Sequence, residues 1–436
     1  MSFTMSTDPN VTPPLAQAVP LGLQHVLAMF ASNVTPSIII AGAAGFAFGS
    51  PDTIYLVQMA MLFAGVATLF QTVGIGPVGA RLPIMQGTSF AFVSVLAAVA
   101  ATQGMGVVMG AVVIAGVAHF CLGAVIGRLR FLFPPLVSGL VILTIGLYLI
   151  PVGIKYAAGG AAKFQMEADS FGSLMHWSVA LTVILVALGI KFFAGKALSA
   201  SAILIGLIAG YLMALVLGMV NFAPVAGADW FALPRLLPYG FEVETGAVIA
   251  VFLVAIVSAI ETVGDTSAVA KGGAGREATD REVAGATYAD GLGSAVAGLF
   301  GGLPNTSFSQ NVGIVAMTGV MSRHVVTIGG IFLILCGFIP KLGAVIASMP
   351  LPVLGGGVIL MFGMVASAGM TMLAEVTMNR RNMVIIALSL SVGLGLNLVP
   401  TAVQHLPGIM QTLAVSGLLP AAIIAITLNQ ILPEED

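Results

Sequence analysis

Three carboxylic acids lie within apolar stretches of the sequence. Glu261 and Asp265 occur in AIETVGDTSAVA, and Asp290 lies 20 residues before Gln310. A charged side chain at the centre of a bilayer costs about 2.5 to 3.5 kcal/mol on insertion scales, so such residues are rare and usually mark an ion or substrate path. The i, i+4 spacing places Glu261 and Asp265 on one face of a helix. A purely structural role in hydrogen bonding is the alternative for each acid.

Uncharged hydrogen-bonding groups cluster in a second stretch, SFSQNVGIVAMTGVMSR, at residues 307–323. An ionised carboxylate only accepts hydrogen bonds, whereas the amide of Gln310 both donates and accepts. A carboxylate and an amide on opposite helices can therefore satisfy both the donors and the acceptors of a polar ligand and replace its water. His25, in the first apolar stretch, is a further polar group, although a lone intramembrane histidine is as often a structural donor.

The chain as a whole has the composition of an integral membrane protein. Of its 436 residues, 58% are hydrophobic and only 7% are charged, and the mean hydropathy is +1.09; soluble domains carry about 25% charged residues. The basic residues are scattered, so no nucleic-acid partner is indicated. Cys121 and Cys336 lie in apolar runs, where a thiol is usually a small buried hydrophobe. Neither a disulfide, a metal site nor a cofactor is predicted.

Fourteen stretches approach the length of about 20 apolar residues that spans a bilayer. They lie at 20–43, 53–75, 83–99, 105–126, 132–154, 173–194, 199–221, 246–269, 284–300, 307–319, 325–339, 350–372, 383–399 and 409–431. The predicted fold is therefore an all-α polytopic membrane protein. Residues 1–17 contain no Lys or Arg and no apolar core, so we expect a polar tail rather than a signal peptide.

Two of these stretches, 83–99 and 307–319, are short and begin with polar residues, and both carry Thr-Ser-Phe, at 88–90 and 306–308. They are the third of the first seven and the third of the second seven. A matching pair of interrupted segments is typical of a transporter's central site, and halves of seven spans must be inverted relative to each other. Two helix starts with free N–H groups would then meet near the midplane. Re-entrant turns without a ligand are the alternative.

The basic residues predict the orientation. With a cytoplasmic amino terminus, eleven Lys and Arg residues fall in inside loops and four in outside loops. The inside residues are Arg81, Arg128, Arg130, Lys191, Lys196, Lys271, Arg276, Arg281, Arg323, Arg380 and Arg381, and the outside residues are Lys155, Lys163, Arg235 and Lys341. This excess favours both termini in the cytoplasm. The outside stretch 222–245 is expected to be a solvated connection.

The motifs together carry a family resemblance. Gln310, Asn311, Val312 and Gly313, followed after four residues by Thr318-Gly319, resemble the signature of the nucleobase/ascorbate transporter family in its purine branch. The runs ETVGD, LPNTSFSQN, QHVL and QGTSF are similar to the same family. The resemblance extends from about residue 18 to 431.

The resemblance implies a fold of core and gate domains and a function. The core would comprise 18–126 and 246–345, and the gate 127–222 and 346–432, with 1–17 as a cytoplasmic tail. Family members transport xanthine, uric acid or uracil with a proton across the plasma (inner) membrane and commonly form homodimers. Glutamine at 310, where pyrimidine carriers have glutamate, favours xanthine or uric acid over uracil.

Residue roles follow from the same resemblance, position by position. Glu261 would accept ring N–H groups, and Gln310 would pair its amide with a neighbouring ring edge. The rings of Phe90 and Phe308 would flank the base, with Ser89 and Gly313 beside it. The supporting or proton-coupling residues would be Asp290, Asp265, His25, Asn311 and Thr318. Since removal from water favours a neutral carboxyl group, Asp290 is the leading proton carrier, and sodium coupling is the alternative.

Other classes are less consistent with the residues. A channel would use rings of like charge or carbonyl groups. An anion exchanger of the same architecture is conceivable by analogy, but it would be expected to have a basic or empty site at position 261. Glu261, Asp265 and His25 could form an acid–base set in an enzyme, yet no H-E-x-x-H pattern occurs. The prediction is therefore a transporter and not an enzyme.

Overall fold

The computed structural model describes residues 7–132, 134–160, 163–195, 198–199 and 201–433. Nineteen α-helices, two short 3-10 helices (Arg130–Leu132 and Pro400–Val403) and two strands lie in these ranges. The first half contains α1 (Leu15–Ala43), α2 (Pro51–Thr72), α3 (Val93–Gln103), α4 (Met105–Leu122), α5 (Ile126–Leu129), α6 (Pro135–Ala157), α7 (Lys163–Met166), α8 (Leu174–Phe193) and α9 (Ala202–Val216). The second contains α10 (Ala223–Gly227), α11 (Thr245–Ala274), α12 (Asp280–Leu299), α13 (Ser309–Thr318), α14 (Arg323–Gly337), α15 (Pro340–Ala347), α16 (Leu351–Ala374), α17 (Arg380–Leu398), α18 (Gly408–Val415) and α19 (Leu418–Ile431). The strands are β1 (Gln86–Thr88) and β2 (Asn305–Ser307).

A helix lies in each of the fourteen predicted segments, and the predicted all-α polytopic fold is confirmed. Eight helices of the described ranges are long and apolar enough to cross a membrane, and α14 with α15, bent by 85°, is a ninth candidate. Three further helices, α3, α9 and α19, are apolar but shorter. The two segments predicted to be interrupted each begin as a strand and continue as a short helix, β1 with α3 and β2 with α13.

Local signals explain where several helices begin. Ser50 precedes Pro51 and accepts a hydrogen bond from the Thr53 backbone at 3.3 Å, so the first turn of α2 is capped. Thr279 and Glu282 form a reciprocal capping box at the start of α12. Each cap provides partners for backbone N–H groups that the helix itself leaves free.

The helices pack in pairs that are related by exchange of the two halves. Helix α4 packs along α12, and α14 packs along α2 in the same way; α11 contacts α4 as α1 contacts α14. Helices α8 and α9 pair as α17 and α19 do, while α6 and α16 pack on each other. Gly146 allows the last contact, since a Cβ there would lie 2.4 Å from the Ala366 backbone nitrogen. The pattern supports a repeat with twofold symmetry.

The connection 222–245 is not simply a solvated loop. Its backbone binds the carboxyl ends of α12 and α14: the N–H of Leu237 donates to the Leu299 carbonyl at 2.8 Å, and that of Ala232 donates to the Phe338 carbonyl at 3.1 Å. At the other end of the molecule, Arg323 donates to the carbonyl of Thr72 at 2.7 Å and to the side chain of Asn10 at 3.1 Å. The described part of the amino-terminal tail is therefore docked onto the start of α14.

Candidate functional site

The two interrupted segments cross each other as a short antiparallel sheet. Gln86 pairs with Ser307, Gly87 with Thr306 and Thr88 with Asn305. Two further bonds extend the ladder, from Ser89 N–H to the Pro304 carbonyl at 2.9 Å and from Phe308 N–H to the Met85 carbonyl at 3.0 Å. Extended backbone is thereby paired inside a helical protein, where lipid would offer no partners.

Side chains of neighbouring helices accept hydrogen bonds from the backbone N–H groups at the outer edges of both strands. Thr68 of α2 accepts from the N–H of Gln86 at 3.0 Å, and Asn33 of α1 accepts from the N–H of Thr88 at 2.8 Å. Ser294 of α12 accepts from the N–H of Asn305 at 2.9 Å. Since an unpaired buried backbone group is costly, these three side chains hold the crossing in one register.

A cavity of about 220 Å³, the site cavity, lies beside the crossing, between the strands and helices α6 and α16. Its polar side comes from Glu261 on α11 and from Ser309 and Gln310, the first two residues of α13. Helices α6 and α16 supply the apolar side. The lining residues from these two helices are Ile142, Ile145, Met364, Val365 and Ala368. A flat, polar molecule between these walls would meet hydrogen-bonding groups on one side and hydrocarbon on the other.

Glu261 and Gln310 are the two longest polar side chains of this cavity. Among the residues that the structure describes, no group forms a hydrogen bond or ion pair with either side chain, and the shorter hydroxyl of Thr88 has no hydrogen bond there either. The backbone N–H groups at the start of α13 add positive potential at the same wall. A carboxylate acceptor and an amide with both functions are thus left available to a solute.

The other two acids are engaged by the protein. Asp265 accepts hydrogen bonds from Ser307 at 2.7 Å and from Ser309 at 2.8 Å. Asp290 is fully buried and accepts from Gln86 at 2.6 Å and from the hydroxyl of Thr262. Both acids therefore tie helices to the strand crossing. Asp265 also faces a neighbouring cavity, whereas Asp290 lies behind the strands and lines none of the larger cavities.

His25 and Asn311 form a buried pair that joins α1 to α13. The Asn311 amide lies 3.0 Å from Nδ1 of His25 and donates to the His25 carbonyl at 2.9 Å. The Oδ1 atom of Asn311 is buried and has no hydrogen-bond partner within the described ranges. The pair lines none of the three cavities around the crossing. Its contacts act on the orientation of α13 instead.

The two phenylalanines of the repeated Thr-Ser-Phe occupy different environments. The ring of Phe90 meets Phe362 of α16 edge-on at 5.1 Å, and the Phe90 carbonyl accepts from Tyr148 of α6 at 3.3 Å. Phe308 packs in an apolar cluster with Met29 of α1 and Met85, although it also borders the cavity. Phe90 thus contacts α6 and α16, whereas the ring of Phe308 packs towards α1.

The remaining predicted residues, Ser89, Gly313 and Thr318, lie progressively further from the site cavity. Ser89 borders it and accepts from the Ala91 N–H at 3.3 Å. Gly313 lines an adjoining cavity one turn further along α13. Thr318 ends that helix and donates to the Ile314 carbonyl at 2.7 Å; nine residues of helix, about 13 Å, separate it from Ser309. Thr318 is therefore not brought to the site cavity.

Sequence reasoning missed several residues that hold the site. Thr262 and Ser307 are partners of the acids, and the apolar wall from α6 and α16 was not foreseen. Polarity within an apolar run could have marked Thr262. Nothing in the local sequence distinguishes a cavity-lining Ile142 or Ala368 from an ordinary core residue.

The architecture defines the class of protein. The chain superimposes on the transmembrane domain of BicA, a bicarbonate transporter from a cyanobacterium, with a TM-score of 0.64 and 17% sequence identity, over 95% of this chain and 98% of the other. At this identity the likeness concerns the fold. With two short strands that cross inside a set of apolar helices, the protein is a multi-pass membrane protein with a transporter fold.

Comparison at the sequence level then identifies the family. Residues 16–402 match the model of the Permease family. The chain is 36% identical to the uric acid transporter UacT of Escherichia coli over 94% of this chain and 84% of the relative. It is 33% identical to the xanthine permease XanP of E. coli over 97% and 93%. The chain belongs to this permease family, which confirms the resemblance, and it is a transporter rather than an enzyme.

Proposed function

We propose that the protein is a secondary active transporter that imports a purine base, xanthine or uric acid, together with a proton. The observation that carries this proposal is the pair Glu261 and Gln310, which face one cavity without hydrogen bonds from the described protein. Xanthine and urate present N–H donors beside C=O acceptors on a flat ring, which matches this pair. The names of relatives, a uric acid transporter and a xanthine permease, support the same class.

Alternating access would move a core domain, 18–126 with 246–345, against a gate domain, 127–222 with 346–432. The strand crossing would travel with the core, and the wall from α6 and α16 would belong to the gate. The paired packing of helices supports an inverted repeat of seven plus seven segments. We place the protein in the plasma (inner) membrane with both termini in the cytoplasm, as a homodimer.

Asp290 is the proposed proton carrier, with Asp265, His25 and Asn311 as its wider network; Thr318, at the far end of α13, does not belong to this network. Asp290 contacts Gln86 of β1 and Thr262 of α11, so a change of its charge acts on both walls of the crossing. Glu261 and Gln310, with Phe90, Ser89, Phe308 and Gly313, would form the binding site. Sodium is the less favoured coupling ion.

Uptake by reconstituted full-length protein tests the proposal. Radiolabelled xanthine or urate should accumulate under an inward proton gradient, and unlabelled purine bases should compete while bicarbonate and chloride should not. Competition by uracil alone would favour a pyrimidine symporter. Competition by inorganic anions alone would favour an anion exchanger, the second candidate, whose fold is shared by BicA.

A further inference from the structure

Two additional cavities flank α13, and their linings carry opposite charge. The first, of about 450 Å³, is lined by Glu261 and Asp265 and reaches Ile126 and Pro135. The second, of about 330 Å³, lies between α1, α9 and α13 and is lined by Lys191. The second shares both Ser309 and Gln310 with the site cavity, so a solute there is adjacent to the proposed binding amide.

Lys191 lies in the last turn of α8, on the side that carries the excess of basic residues. Its side chain is exposed, and among the described residues its ammonium group has neither a hydrogen bond nor an ion pair. None of the described residues that line the second cavity is acidic. Its mouth therefore has positive potential, whereas the first cavity has negative potential when its carboxylates are ionised.

The two proposed substrates differ in charge. Uric acid is the stronger acid and is a monoanion at neutral pH, whereas xanthine is mostly neutral. A single unpaired cation at a cavity mouth raises the local concentration of an anion and leaves a neutral molecule unaffected. Asp265, which lines the first cavity but not the site cavity, would act on the anion in the opposite direction when it is ionised.

We propose that Lys191 is a specificity-determining residue that favours anionic purines, and that the second cavity is their path between the site and the cytoplasm. This inference rests on the proposed function. Lys191 does not touch the base at the binding site and acts through its field along the path. Removing the charge of Lys191 from the cavity mouth should weaken the binding of urate from the cytoplasmic side about two- to tenfold.

Exchange in proteoliposomes of neutral phosphatidylcholine, selected for protein that is oriented with its cytoplasmic side outward, tests the inference. The KM for urate and for xanthine is compared in wild type, Lys191→Gln, Lys191→Glu and Lys191→Arg. Lys271→Gln is the matched control, since Lys271 is an exposed cation at the end of α11 that lines none of the three cavities around the crossing. Neutral lipid removes any effect of anionic headgroups on the lysine.

We expect the KM for urate to rise in Lys191→Gln, to rise further in Lys191→Glu and to return to the wild-type value in Lys191→Arg. The KM for xanthine should stay within about twofold in all variants, which also shows that they fold. High salt should reduce the difference for urate. Equal changes in KM for both bases, or no change in the KM for urate, would overturn the proposed role of Lys191 and leave the proposed function standing. Failure of the wild type to exchange either base would overturn the proposed function.

Discussion

Replacement of Glu261 by glutamine separates binding from stability. The carboxylate borders the site cavity, and no described residue donates to it, so neutralisation removes no contact within the protein. A hydrogen bond to a charged group is worth about 1.5 to 3 kcal/mol, and about 1.4 kcal/mol is tenfold in affinity. The glutamine carbonyl can still accept a neutral hydrogen bond, worth about 0.5 to 1.5 kcal/mol, so the loss is about 1 to 1.5 kcal/mol. Glu261→Gln should therefore bind a purine base about 5- to 10-fold more weakly than the wild type.

The same substitution should not destabilise the ligand-free protein. A carboxylate removed from bulk water without a protein partner is unfavourable, and a neutral amide of the same size relieves this cost. The melting temperature without ligand should stay constant or rise by a few degrees. Asp265→Ala offers the contrast, because it removes the acceptor of two serine hydroxyls and should lower the melting temperature.

Equilibrium binding of radiolabelled xanthine and urate to purified full-length protein gives the affinity, and intrinsic fluorescence gives the thermal unfolding. Glu375→Gln is the control, since Glu375 is exposed at the end of α16 and should leave both measurements unchanged. Wild-type affinity in Glu261→Gln would refute the binding role. A loss of binding together with a lower melting temperature would refute the argument that this carboxylate is unpaired in the fold.

Three further outcomes are expected. Gln310→Glu removes the amide donor and sets two acceptors side by side, so binding of xanthine should fall about tenfold or more, as measured by competition. Asp290→Asn should abolish accumulation of substrate but retain exchange and some binding; intact accumulation would exclude Asp290 as the proton carrier. Gly291→Ala should sharply reduce the folded yield and the melting temperature, because the new Cβ would lie 2.2 Å from the backbone nitrogen of Phe120 in α4. Gly189→Ala is the control: its Cβ would meet open space, so the substitution should be neutral or stabilise the protein by about 0.5 to 1 kcal/mol.

Local sequence predicted the elements well where composition alone decides them. Long apolar runs must be helical in lipid because the backbone has no other partner, and a helix lies in every predicted segment. The shortness and polarity of 83–99 and 307–319 predicted the two interruptions, which the structure contains. The connection 222–245 was predicted less well, because bonds such as that of Leu237 to Leu299 join parts of the chain that are distant in sequence.

The three acids illustrate how far the sequence alone could predict the candidate site. Glu261, Asp265 and Asp290 are alike as acids in an apolar sequence, yet Asp265 and Asp290 are buried and engaged by hydroxyl or amide donors, whereas Glu261 is half-buried and faces a cavity. That difference arises from the positions of Ser307 and Gln86 on the crossing strands. A local pattern does not specify which distant side chain will lie within hydrogen-bonding distance.

Hydropathy and motif spacing alone identified a polytopic membrane protein, its interrupted segments and the polar residues worth attention. These properties depend on transfer from water to lipid, which each residue experiences largely independently of its distant neighbours. The antiparallel register, the apolar wall from α6 and α16, and the lack of a partner for Glu261 and Lys191 among the described residues emerged only from packing. They depend on distances between segments far apart in the chain, which the folded structure alone sets.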